Sequence, residues 1–100
     1  MGPVMATLHI EHGISDLSTW RAAFNSFGEA RQNAGVLGQR VQQPVENPNY
    51  IVVQLDFADT KGASAFKQFL ETVVWQSRDL SPGLDGTPTA RVLEDIPDEG

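Results

Sequence analysis

Apolar and polar residues alternate along "YIVVQLDF", residues 50–57, and make it the clearest strand in the chain. Ile51, Val53, Leu55 and Phe57 share one side, and Tyr50, Val52, Gln54 and Asp56 share the other. A second alternating run, Val4 to Glu11, sets Val4, Ala6, Leu8 and Ile10 against Thr7, His9 and Glu11. Two more strands are expected at "VLGQRVQQPV", ending at Pro44, and at "TARVLEDI", where Ala90 and Val92 oppose Arg91 and Leu93. Between them the period lengthens to that of a helix. In "ISDLSTWRAAFNSFGEARQNAG" the apolar residues Leu17, Trp20, Phe24 and Phe27 form one stripe. Ser15 or Asp16 can cap its start, and Gly35 can end it. The second helix is expected over "ADTKGASAFKQFLETVV", capped near Asp59 or Thr60, with Ala63, Phe66, Phe69, Leu70 and Val73 facing the core. "PVENPN" is a turn and "SPGLDGTP" a loop.

The order β-α-β-β-α-β predicts an α+β, ferredoxin-like fold, a four-stranded antiparallel sheet with two helices on one face. Its second sheet face is mixed rather than purely polar, with His9, Tyr50, Val52, Gln54 and Arg91 side by side. Such a face suits burial against a second sheet, so a homodimer packed sheet to sheet is expected. The length of 100 residues fits one domain, 1–100, with an acidic tail from about residue 94.

Charge and composition narrow the function classes. The net charge of −6 and the scattered basic residues argue against nucleic-acid binding. RNA-recognition domains of the same element order need exposed aromatics on the first and third strands, and only Tyr50 qualifies. No cysteine is present, which removes thiolate chemistry and accords with a cytoplasmic location. No stretch approaches a membrane span, and the start of the chain lacks the pattern of a signal peptide. Nucleotide-binding glycine motifs and G-x-S-x-G are absent.

The candidate chemistry lies in "ATLHIEHGI", residues 6–14, which holds both histidines. Residues 9 and 12 fall on opposite sides of a regular strand, so they do not form a pair. The usual histidine metal spacings are also missing, and no metal site is expected. His9 lies on the mixed face, where a carboxylate can pair with it. His12 continues the register of Leu8 and Ile10 to the helix-facing rim. There it can contact a substrate or hydrogen-bond the loop that follows. Trp75 poses a related question. On a straight helix it would lie opposite Phe66 and point away from the core. Either the helix breaks between Glu71 and Val74 and Trp75 turns inward, or Trp75 packs on a partner chain.

The segments "IEHGISDLSTWRAAF", "NPNYIVVQLDFAD" and "ARVLEDI" resemble the dimeric α+β barrel superfamily, in particular its antibiotic biosynthesis monooxygenase-like (ABM-like) domains. The matching features are a His closing the first strand (His12), an Asp and a Trp opening the first helix (Asp16, Trp20), and an Asn-rich turn before a strand ending in Asp56 and Phe57. The resemblance covers nearly the whole chain. It implies a homodimer whose sheets form a barrel, with a pocket between sheet and helices in each protomer. Some members are cofactor-independent monooxygenases of aromatic quinols, in which the substrate itself activates dioxygen. Others degrade haem with a first-strand Asn, a Trp near the second helix and a following His. This chain has Trp75 but neither that Asn nor a His after residue 12.

Two functions are therefore open. One is a cofactor-free monooxygenase on a small aromatic ligand, with His12 as the catalytic residue, a hydrogen-bond partner or base, and Trp75, Trp20 and Phe66 as pocket walls. The other is a non-catalytic ligand-binding or regulatory homodimer. An enclosed cavity of about 300 Å³ or more reached by His12 or Trp75 would favour the first.

Overall fold

The computed structural model describes residues 5–97. Val4, and Asp98 and Glu99 of the expected acidic tail, lie outside the described residues. The elements are β1 (Ala6–Ile14), α1 (Leu17–Ser26), α2 (Gly28–Asn33), β2 (Gly38–Gln42), β3 (Tyr50–Phe57), α3 (Thr60–Phe69), a π-turn (Leu70–Val74) and β4 (Leu84–Glu94). The sheet is antiparallel in the order β2-β3-β1-β4, with the helices on one face. This is the ferredoxin-like architecture that the element order predicts.

Strand alternation sorts the core as expected. Ala6, Leu8 and Ile10 of β1 and Ile51, Val53, Leu55 and Phe57 of β3 are buried together with Trp20, Ala63 and Phe66 from the helices. The Phe57 and Phe66 rings lie 6.0 Å apart across the sheet–helix boundary. Asp16 caps α1 by accepting from the Thr19 amide at 2.9 Å, and Asp59 caps α3 by accepting from the Gly62 amide at 2.8 Å. Gly35 follows α2 at φ 93°, in the left-handed region that glycine favours.

Four expectations need correction. First, the opening helix is not continuous. It divides at Phe27, where the Phe27 amide reaches back to the Phe24 carbonyl at 3.2 Å and Gly28 starts a new short helix. Second, β1 continues three residues beyond Glu11, to Ile14. Third, "SPGLDGTP" is only partly a loop. The longer β1 pairs Gly13 with Asp85 and Ile14 with Leu84, so β4 starts at Leu84. The register shifts between Glu11 and Gly13, and Gly86 there has φ 81°. Pro88 is tolerated at this irregularity because β4 is an edge strand.

Fourth, Val73 does not face the core. It is 43% exposed, and Val74 takes its place at 5%. The reason is the π-turn, in which the Trp75 amide donates to the Leu70 carbonyl at 2.8 Å. The extra residue per turn rotates everything after it by about one position.

Phe57 joins sheet to helices and is 1% exposed. Phe57→Ala is expected to cost about 3–5 kcal/mol, measured by urea denaturation. A loss below about 1 kcal/mol would contradict this description of the core.

Candidate functional site

The sequence-expected site residues separate onto the two faces of the sheet. His12, Trp20, Phe66 and Trp75 all line one cleft between sheet and helices. His9, Tyr50, Val52, Gln54 and Arg91 sit on the opposite face, distributed over β1, β3 and β4.

The cleft is built from strand and helix periodicity together. Ile10 and His12 reach it from β1, and Val53 and Leu55 from β3. Trp20, Phe24 and Phe27 reach it from the first helical stretch, and Phe66, Leu70 and Val74 from the second. Trp75 joins them because the π-turn rotates it inward, which resolves the question its spacing raised. Leu80, Ser81 and Pro82 close one side. Gly83, at φ 84°, lets this segment approach α1, where an added Cβ would lie 3.0 Å from the Trp20 amide nitrogen. The cleft holds about 80 Å³. That leaves room for at most a single ring and is well short of the roughly 300 Å³ set above as favouring a small-molecule enzyme.

His12 is only 5% exposed. Its Nδ1 lies 2.8 Å from the Gly13 carbonyl oxygen. A carbonyl can only accept, so Nδ1 carries the proton and Nε2 keeps its lone pair. Nε2 has no hydrogen-bond partner among the described residues. Every fully buried side-chain polar atom there is partnered, so Nε2 keeps some exposed surface, and His12 lines the cleft. Burial pushes the His12 pKa below its ordinary value, and the Gly13 hydrogen bond opposes that only in part. The neutral imidazole is thus the favoured form, and the ring borders a largely apolar space.

Arg31 is the site residue that sequence reasoning misses. It is 7% exposed and lines the same cleft. Its guanidinium carbon lies 3.7 Å from the centre of the Phe24 ring. Phe24 stacks on Trp20 at 4.9 Å, and Trp20 lies 6.4 Å from the His12 ring. A ladder Arg31–Phe24–Trp20–His12 therefore runs along the cleft. A signal was available in the sequence. Leu17, Trp20, Phe24, Phe27 and Arg31 follow helical spacing, so Arg31 continues the apolar stripe.

The opposite face carries a polar chain. Gln54 contacts His9 Nδ1 at 3.1 Å, His9 Nε2 contacts Glu11 at 2.8 Å, and the Tyr50 hydroxyl donates to Glu11 at 2.7 Å. The Tyr50 and His9 hydrogen bonds hold the Glu11 carboxyl below its ordinary pKa, and the same bond to Glu11 raises Tyr50. Arg91 pairs with His9 across the β1–β4 ladder. Among the described residues, no three His, Asp or Glu side chains cluster as metal ligands. No helix there is long and apolar enough to cross a membrane.

No family model matches the sequence, and no curated protein matches it. Solved structures do match in fold. A provisionally named antibiotic biosynthesis monooxygenase from Bordetella bronchiseptica is similar at TM-score 0.73 and 13% identity, over 93% of this chain and 98% of that one. Another from Nitrosomonas europaea gives TM-score 0.68 and 14% identity, over 100% of this chain and 98% of that one. A dimeric ferredoxin-like protein from an uncultured marine organism gives 0.62 and 9%, over 95% and 98%. The chain thus shares the fold of ABM-type structures, and identities this low speak to fold alone.

The lowered His12 pKa has a sign. The folded state binds the proton less readily than the unfolded state does. The stability this contributes is complete above about pH 6.5 and is lost as the pH falls toward the folded-state value. Urea midpoints at about pH 7.5 and 5.5 should fall more for wild type than for His12→Asn, whose amide can still donate to Gly13. Equal losses would place the His12 proton equilibrium elsewhere.

Proposed function

We propose that this chain is a homodimeric, ABM-like protein that binds a small aromatic molecule in the His12–Trp75 cleft. The observation that carries this reading is the His12 imidazole, tied through Nδ1 to the Gly13 carbonyl and lining an aromatic-walled space. An aromatic hydroxyl placed there donates to Nε2. A neutral imidazole is the protonation state that can take that proton. Once deprotonated, a phenol or quinol can reduce dioxygen itself. One oxygen atom then enters the ring, the other leaves as water, and the phenol becomes a quinone. In this chemistry His12 is the catalytic base, and Trp20, Phe66 and Trp75 hold the ring. Two fold neighbours carry the name antibiotic biosynthesis monooxygenase. The volume of about 80 Å³ favours a second reading, a ligand-binding or regulatory dimer without turnover.

The homodimer is proposed to form through the open sheet face. The Gln54–His9–Glu11–Tyr50 chain satisfies the polar groups there before any partner arrives. Val52 is half-buried and Leu93 is exposed on the same face, which leaves apolar area to cover. Among the fold neighbours, two are named as dimeric ferredoxin-like proteins.

Thermal-shift measurements with hydroquinone and larger quinols test the cleft, and oxygen uptake tests turnover. A quinol should raise the melting temperature. Uptake should fall by about 10²–10⁴-fold in His12→Asn. Binding without uptake supports the regulatory reading, and no shift with any ring compound contradicts both. For the assembly, sedimentation at micromolar concentration should give a dimer that Val52→Lys dissociates. A monomeric wild type would remove the sheet-to-sheet interface.

A further inference from the structure

Arg31 is a buried cation without an anion. Neither ion pair among the described residues, His9–Glu11 or Lys67–Glu71, includes it. Its Nε donates to Gln39 Oε1 at 3.0 Å and its Nη1 to the Phe24 carbonyl, both neutral acceptors. A guanidinium has five N–H groups, and these bonds leave Nη2 unspent. No fully buried polar side-chain atom is orphaned, so Nη2 reaches open space. Burial works against the charge, and no carboxylate on the packed elements offsets it. Taking a cation out of water is costly unless a partner compensates. The Phe24 ring and one helix-end carbonyl do so only partly.

We infer that the cleft takes an aromatic ring bearing one planar anionic group, a carboxylate, and that Arg31 binds that group. This deepens the proposed function and rests on its reading of the cleft as the ligand site. The ring fits the Trp20, Phe24, Phe27, Phe66 and Trp75 walls, and the volume of about 80 Å³ limits it to a single ring. A lone cation and a chain of net charge −6 suit a monoanion rather than a polyphosphate. The guanidinium fork matches a carboxylate in geometry as well as charge. Arg31 also borders a shallow depression lined by Gly28, Gln32 and residues 36–39. That depression has no aromatic wall, so it would take an anion without preference for a ring.

Benzoate and its neutral isostere benzamide separate the possibilities, with binding followed by calorimetry and by the Arg31 and His12 side-chain ¹⁵N signals. Wild type should bind benzoate about tenfold more tightly than benzamide. Both signals should move with benzoate. Arg31→Gln should abolish the preference, so that the variant binds benzoate and benzamide equally. If that variant does not fold, the wild-type ratio and the ¹⁵N signals decide. Equal affinity of wild type for the two ligands overturns the anion assignment and leaves the cleft intact. Acetate matching benzoate, with the His12 signal still, puts the anion in the depression and overturns it too. Failure of both ring compounds to bind removes the cleft reading itself.

Discussion

The alternation of β1 is the constraint on which the rest depends. β1 lies between β3 and β4 and pairs with both, without a break along β3 and with one register shift along β4 at His12. Its position and register are therefore fixed, and a one-residue slip would turn every side chain to the wrong face. Ala6, Leu8, Ile10, His12 and Ile14 are buried on the helix side, while Thr7, His9, Glu11 and Gly13 are less so. His12 thus occupies a position where the pattern calls for an apolar residue. It is tolerated because Gly13 accepts its Nδ1 proton, and that bond also decides which nitrogen remains basic. One backbone carbonyl links the fold of the strand to the chemistry of the site.

A second constraint acts on the helix side. α3 shows a helical apolar face through Ala63 and Phe66, which would leave Trp75 on the wrong side if continued. The π-turn changes the phase once, exchanging Val73 for Val74 in the core and bringing Trp75 to the cleft. Such single-turn π segments occur often at functional sites. Here the local irregularity is what brings Trp75 to the cleft that Trp20 and Phe24 also line.

What the sequence made legible follows from which signals are local. Alternation in 50–57 and helical spacing around Phe66 are properties of short windows, and they gave the strands, the helix faces and the two-sided division of the histidines. The ends of β1 and β4 are set by their mutual pairing, so neither shows in its own window. The division at Phe27 depends on a tight turn whose carbonyl Arg31 completes from seven residues away. The π-turn was visible only as a conflict, since Trp75 did not fit a straight helix. Arg31 was hidden by its residue type. A charged side chain on an apolar stripe is easily read as the stripe's edge, although its long stem can lie along apolar surface and bring the charge inside.

The central claim is that strand register and one backbone hydrogen bond leave His12 neutral, with Nε2 free toward the cleft. Long-range ¹H–¹⁵N NMR of the histidine rings reads this directly. At pH 7 the account predicts His12 as the Nδ1–H tautomer, with an unprotonated Nε2 whose resonance moves when hydroquinone is added. An Nε2–H tautomer, or an imidazolium at that pH, would contradict it.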